Sequence, residues 1–358
     1  MQSLSVGFIG LRHLHPRSYM PVFAAADGMN VVAVAECDRA VLSGFTEEFR
    51  VRAYQDWRAM IEREPLDLAV LFLPHNECPE AAIACAGRGI HVLIEKPMAA
   101  SAESLAKVMD AARQTEIVLS SPYVWRCHPV ARAMKQHIAD GSLGRIAGCE
   151  GRCAAGRLHR YIDGKAEWML HRAQSGGGPM YNLGVHWIDL YRWLLNDEVV
   201  EVAGKNVKLN ADYDIEDSSF ALLTFSRGAV VALNISYTVP DSFPSGRDLY
   251  LAVRGTRGVL SWSPSFEGIH EQLFVCSDDT GAARQIDFEL PQQAGYAGIS
   301  TVNFLKDLGE AIRTGTSPAI TGEDGLRALE VAEAIYEAAE TGRSVRPKRH
   351  LVAAAKRL

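Results

Sequence analysis

The chain has 358 residues, 48% hydrophobic and 22% charged, with 37 basic against 43 acidic side chains and a formal net charge of -6. That balance excludes a disordered chain, no apolar run approaches the roughly 18 residues of a membrane span, and no surplus positive charge awaits a nucleic acid. Seven cysteines without CxxC spacing read as reduced thiols of a cytoplasmic protein, and Gly7, Gly10, Arg12 and His13 break the first apolar stretch too early for a secretory leader.

In the first third, short β-branched runs alternate with helix-like stretches. The strands are Leu4–Ile9, Val31–Ala35, Leu68–Leu73, His91–Ile94 and Ile117–Ser120; the helices are Arg17–Ala26, Arg39–Phe49, Trp57–Arg63, Cys78–Arg88 and Ser101–Gln114. This rhythm predicts a parallel sheet with crossover helices, ending near residue 122. From Ser121 the pattern changes to a helix at Val130–Ala139, a glycine patch at Gly176–Gly178 and a helix at Val185–Leu195. Alternating strands follow at Ser218–Phe225, Ala229–Ser236, Asp248–Arg254 and Val259–Ser263, then helices at Thr301–Thr314 and Gly325–Glu340 and a basic tail at Arg343–Lys356. The expectation for 123–358 is an α/β domain with a large, mainly antiparallel open sheet. Helices cover one of its faces, and the half-apolar other face predicts a homodimer or homotetramer.

The first strand runs into Gly10-Leu11-Arg12-His13-Leu14-His15-Pro16, and Glu36 closes the second strand 26 residues after Gly10. A dinucleotide-binding Rossmann domain needs a tight glycine turn, close backbone approach to the pyrophosphate, and a carboxylate for the ribose. Gly10 and Glu36 supply the first and last. Arg12 and His15 occupy the places of the second and third glycines of the fingerprint, and Arg12 offers charge-assisted bonds to a pyrophosphate in return. Glu36 would repel a 2′-phosphate, so NAD is expected, with NADP as the alternative. His13-Leu-His15 is also how metal-dependent hydrolases on β/α barrels place their first two ligands. Glu36, His75, Glu95 and Tyr123 make a poor remaining set, and an antiparallel half does not suit a barrel, so no metal site is assigned.

The fourth strand runs into Glu95-Lys96-Pro97, and the second half carries Gly176-Gly-Gly-Pro-Met-Tyr-Asn182-Leu-Gly-Val-His186-Trp-Ile-Asp189. With Pro74, Trp125-Arg126-Cys-His128-Pro129, Glu216-Asp-Ser218 and Gly255-Thr-Arg-Gly258, these segments resemble the glucose-fructose oxidoreductase, inositol dehydrogenase and rhizopine-catabolism (Gfo/Idh/MocA) family over nearly the whole chain. The resemblance implies NAD(P)-dependent hydride transfer at a secondary alcohol or ketone of a sugar, inositol or related polyol, with Lys96, position 182 and His186 around the reacting carbon. The chemistry asks for the same groups: a base for the hydroxyl proton, which His186 can be, and a cation for the carbonyl oxygen, which Lys96 can be. Position 182 is Asn where the family has Asp; an amide cannot shuttle a proton, so Asn182 positions the substrate.

The resemblance places the cofactor against Gly10, Leu11, Arg12, His13, Glu36, Pro74, His75, Glu95 and Lys96, although His75 and Cys78 stand where Asn and His are usual. Tyr123 and Arg126, near the domain junction, join Asn182 and His186 as substrate contacts. Asp189 reads as structural, orienting His186 or a neighbour. Arg157, His159, Tyr161, Trp168 and His171 suit either a lid or a surface loop. Arg12, His15 and Asn182 together keep open a catalytically silent ligand sensor on the same fold.

Overall fold

The computed structural model describes residues 3–266 and 268–350. Its first half holds strands β1 (Leu4–Ile9), β2 (Met29–Ala35), β3 (Arg52–Tyr54), β4 (Leu68–Leu71), β5 (His91–Ile94) and β6 (Leu119–Ser120), with helices α1 (Pro16–Ala25), α2 (Arg39–Phe49), α3 (Trp57–Arg63), α4 (Cys78–Ala86) and α5 (Ala102–Gln114) between them. The strands pair in parallel in the order β3-β2-β1-β4-β5-β6. β1, β4 and β5 are buried almost end to end, as strands must be when helices cover both faces. Helix starts follow side-chain chemistry: Asp38 accepts from the amides of Ala40 and Val41, Asp56 from Arg58, and Ser101 from Ser104. The three-residue β3 is too short for a periodicity to register, and the sequence reading passed over it.

The second half contains α6 (Pro129–Ala139), β7 (Ile146–Ala155), α7 (His159–Asp163), α8 (Arg172–Ser175), α9 (Val185–Leu195), β8 (Val199–Val207), β9 (Ser218–Phe225), β10 (Val230–Ser236), β11 (Arg247–Gly255), β12 (Gly258–Trp262), β13 (His270–Ser277), β14 (Ala282–Glu289), α10 (Ile299–Thr314) and α11 (Gly322–Thr341). Its eight strands form one open sheet in the order β14-β13-β12-β11-β7-β10-β9-β8. The sheet is antiparallel except at its centre, where β7 and β10 run parallel. Trp187 of α9 packs against this region, and a Cβ on Gly151 of β7 would come within 2.4 Å of its ring. Both sheets are open, so the barrel required by the metal-hydrolase reading does not form.

The halves join directly. Ser120 Oγ donates to the Ile320 carbonyl at 2.7 Å, and the Ala102 amide to Glu333 Oε1 at 2.7 Å. Val345 bridges to Val202, which ties down the start of the predicted basic tail; residues 351–356 of that tail lie outside the described residues. Among the described residues no helix is long and apolar enough to cross a membrane.

Candidate active site

The turn after β1 is built as a dinucleotide turn should be. Gly10 sits at φ +84°, where a Cβ would press to 3.0 Å on the backbone of Phe72 and Leu73. A groove of about 310 Å³ opens beside it, lined by Gly10, Arg12, Glu36, Trp57, Arg58 and Pro74 among others. Glu36, at the end of β2, is buried and accepts from the Leu11 amide at 2.8 Å and the Asp38 amide at 2.9 Å. The Arg12 guanidinium lies across the rim, 3.4 Å from Glu36 and 44% exposed, so the side chain that replaced a glycine leans outward and leaves the groove open. Gly10, Arg12, Glu36 and Pro74 all line this groove and could hold the adenosine and pyrophosphate side of a dinucleotide, and Leu11 contributes its backbone to the same turn.

Besides Leu11, three predicted cofactor contacts, His13, His75 and Glu95, line neither this groove nor the cavity beyond it. His13 turns inward: its Nδ1 accepts from the His15 amide at 3.1 Å, and its ring lies near Phe72 and Trp168. His75 is buried with Nδ1 2.7 Å from the Ser175 carbonyl, tying the loop after β4 to the second half, and burial lowers its pKa to about 4. Glu95 lies behind His15, whose Nδ1 is 2.6 Å from Oε1, and takes the Tyr19 hydroxyl on Oε2 at 3.3 Å. His13, His15 and Glu95 bring ligand-type atoms within 4.8 Å of one another. The bond His13 Nδ1 accepts puts the ring proton on Nε2 when the imidazole is neutral, which removes the lone pair a cation would need there.

Past His15 a second cavity of about 210 Å³ is shared by the two halves, with Lys96, Asn182 and His186 in its wall. Lys96 lies two residues past the end of β5 and is 2% exposed; its Nζ donates to Asn182 Oδ1 at 2.6 Å and to the Asn182 carbonyl at 2.9 Å. Asn182 sits in an irregular turn, Met180–Gly184, that runs straight into α9. Its Nδ2 donates to the hydroxyls of Tyr161 at 2.7 Å and Tyr237 at 2.9 Å, so the amide is held at both ends. Burial is the main cause that lowers Lys96 to about 8, with Arg160 and Arg247 adding repulsion against the attraction of Glu95. His186, one helical turn beyond Asn182, is buried with no partner on Nδ1; burial and then Lys96 hold it well below the usual histidine range, hence neutral.

Two predicted substrate contacts are displaced. Tyr123 is wholly buried behind His186, with ring centroids 5.9 Å apart in an edge-on arrangement, so it backs the imidazole. Arg126 bonds Asp189 through Nε at 2.7 Å and Asp324 at 2.8 Å, which locks its guanidinium away from the cavity. Asp189 thus holds Arg126, a neighbour in space, and not His186, the two alternatives the sequence left open. Of the polar and aromatic stretch, Tyr161 faces the cavity, and Trp168 donates to the Arg12 carbonyl at 2.6 Å. Arg157 and His159 stay at the surface beside Asp241. The sequence reading missed Arg160, Arg247, Phe266 and Tyr296, all in the cavity wall. Arg247 left a signal, because it shares the inward phase of Leu249, Leu251 and Val253 along β11.

The family model described as "Oxidoreductase family, NAD-binding Rossmann fold" matches residues 4–123, and "Oxidoreductase family, C-terminal alpha/beta domain" matches residues 135–346. D-xylose 1-dehydrogenase (NADP(+)) 2 of Haloferax volcanii is 25% identical over 345 residues, covering 95% of this chain and 98% of its own. Myo-inositol 2-dehydrogenase of Thermotoga maritima is 24% identical over 304 residues, 82% of this chain and 84% of its own. A solved levoglucosan dehydrogenase, in complex with NADH and levoglucosan, superimposes with a TM-score of 0.85 at 20% identity, over 97% of this chain and all of that one, and so shares the fold. The chain belongs to the Gfo/Idh/MocA oxidoreductase family, with an NAD-binding Rossmann half followed by its C-terminal α/β half.

Proposed function

We propose that this protein transfers hydride at a secondary alcohol or ketone of a sugar, inositol or related polyol, with NAD preferred. The observation that carries this reading is that Lys96 and His186, 90 residues apart and from different halves, line one cavity. Relatives named for D-xylose, myo-inositol and levoglucosan support the substrate class. Loss of hydride from a secondary alcohol leaves a proton to be taken and a carbonyl oxygen to be held. Neutral His186 takes the proton. Lys96, with two of its three N–H donors on Asn182, has the third for the oxygen. Asn182 positions Lys96, and Tyr161 and Tyr237 hold Asn182 in turn. When bound, the nicotinamide supplies the hydride acceptor in oxidation and the donor in reduction; Gly10, Leu11, Arg12, Glu36 and Pro74 would hold the other end of that cofactor.

The test is His186→Ala, assayed with NAD and a polyol panel alongside fluorescence titration with NADH. Turnover is expected to vanish while NADH still binds; unchanged activity overturns the assignment of the base. A wild-type protein that binds neither NADH nor NADPH at millimolar concentration returns the silent sensor. We further propose a domain boundary at 122/123 and residence in the cytoplasm, in keeping with seven unpaired cysteines. A homodimer or homotetramer would cover the outer face of the second sheet, where Phe220, Leu222 and Val230 stand exposed. Light scattering after gel filtration decides the last point, and a monomer at micromolar concentration refutes it.

A further inference from the structure

Of the two side chains that replace glycines of the fingerprint, Arg12 lines the groove, and His15 lines the cavity in the same wall as Lys96 and His186. His15 is held there by neighbours from both halves. Its Nδ1 lies 2.6 Å from Glu95 Oε1, Glu95 takes the Tyr19 hydroxyl on its other oxygen at 3.3 Å, and the Tyr296 ring packs on the imidazole with centroids 4.1 Å apart. As a carboxylate Glu95 only accepts, so His15 donates from Nδ1 and keeps its lone pair on Nε2. The protein packed around it, then Lys96, Arg247 and Arg160, hold its pKa well below the usual histidine range, so His15 rests neutral with that lone pair available. His186 is built differently. Its Nδ1 is buried and bonded by no group among the described residues, so no carboxylate supports an imidazolium there. A proton taken at His186 Nε2 has no exit through Nδ1 and must return to the cavity. His186 is buried, whereas the His15 side chain is 19% exposed and therefore meets solvent.

We propose that His15, oriented by Glu95, is a second proton-handling residue of the reaction and passes the substrate proton between His186 and solvent. The proposal rests on the hydride-transfer reading of the same cavity and adds the proton's route to it. In oxidation the hydroxyl O–H bond breaks as its proton bonds to His186 Nε2, while the hydrogen on carbon leaves with its electron pair as hydride to the nicotinamide. The proton then moves from His186 Nε2 to His15 Nε2, directly or through water in the cavity, and from His15 to solvent. Both imidazoles are then neutral again, and reduction runs the same route backwards. Glu95 accepts the Nδ1–H throughout, and that bond becomes charge-assisted while His15 is an imidazolium, which is the part a carboxylate plays behind the histidine of a catalytic triad.

The measurement is kcat with NAD and the polyol that the wild-type protein turns over, paired with fluorescence titration of NADH. In His15→Ala, kcat is expected to fall about tenfold or more with NADH affinity kept, and to rise again with added imidazole, which enters the space left by the ring and carries the proton. His15→Gln keeps a donor for Glu95 and fills the site but takes up no proton, so it stays slow with or without imidazole. A His15 that only supports the fold gives the opposite pattern. Wild-type kcat in His15→Gln, or a slow His15→Ala that imidazole leaves unchanged, overturns the proposal. Should His15→Ala fail to fold, kcat of His15→Gln carries the test. A wild-type protein that turns over no polyol overturns the hydride-transfer reading and the relay with it. Wild-type kcat in both His15 variants overturns the relay alone.

Discussion

The groove beside Gly10 and the cavity around Lys96 absorb their departures from the family pattern in different ways. Arg12 replaces a glycine at the rim, where its guanidinium lies over Glu36 and remains 44% exposed. Asn182 replaces an aspartate in the interior, where its side chain serves three partners, Lys96, Tyr161 and Tyr237. An exposed side chain can swing and let water take over its contacts, whereas a buried network must be satisfied as a unit or leave polar groups unpaired. Substitutions near Lys96 should therefore be costly, and those at the rim mild.

The largest effect expected is at the chemical step. His186→Ala removes the proton acceptor, and general base assistance is worth about 10²–10⁴ in rate, so kcat should fall by that range with NADH affinity held. Next comes Arg126→Met. It leaves Asp189, 1% exposed, without its guanidinium, and breaking a buried pair from one side costs about 3–5 kcal/mol. The measurement is chemical denaturation. A loss below 1 kcal/mol would show that water reaches Asp189 and that the interior contrast drawn above fails there.

A pH profile separates chemistry from stability at Lys96. With its pKa lowered to about 8, the ammonium loses its proton above that pH, and kcat/KM should fall about tenfold per unit beyond it. His186, already neutral, places the acid limb well below pH 6.5. The stability term has the opposite sign. The folded state binds the Lys96 proton less tightly than an ordinary lysine at 10.5, so this group's contribution to stability rises between about pH 8 and 10.5. A loss of activity in that window together with a rise in stability assigns the limb to Lys96, and Lys96→Arg, which keeps its charge, should lack it.

Where local pattern decides the structure, the sequence is readable. Buried strands between amphipathic helices located β1, β4 and β5, and the long final helices α10 and α11 begin and end close to their expected limits. β7, with Gly148, Gly151 and three alanines, has weak strand propensity, and it holds its place because glycine lets Trp187 pack against it. Its parallel pairing with β10 joins segments about 80 residues apart and has no local signature. The same limit applies at the site. Lys96, Asn182 and His186 fall within motifs, but Arg126 was assigned to the cavity because Asp324, which helps pull it away, lies 198 residues further on. Arg160, Phe266 and Tyr296 reach the cavity by tertiary packing, from segments that read as loop or helix edge.

The smallest effect belongs to the rim and sharpens the contrast most finely. Arg12 Nε lies 3.4 Å from the Glu36 carboxylate, and although Glu36 is buried, the solvent around the 44% exposed arginine screens the pair and keeps the loss small. Glu36 opposes a 2′-phosphate, and Arg12 partly offsets that charge, so Arg12→Ala should weaken NADPH about three- to fivefold more than NADH. Glu36→Gln should shift the preference the other way. Fluorescence titration with each dinucleotide in turn measures both. An equal loss for NADH and NADPH in Arg12→Ala would move the contact to the pyrophosphate, the part the two cofactors share, and Arg12 would then replace the lost glycine in function and not merely in position.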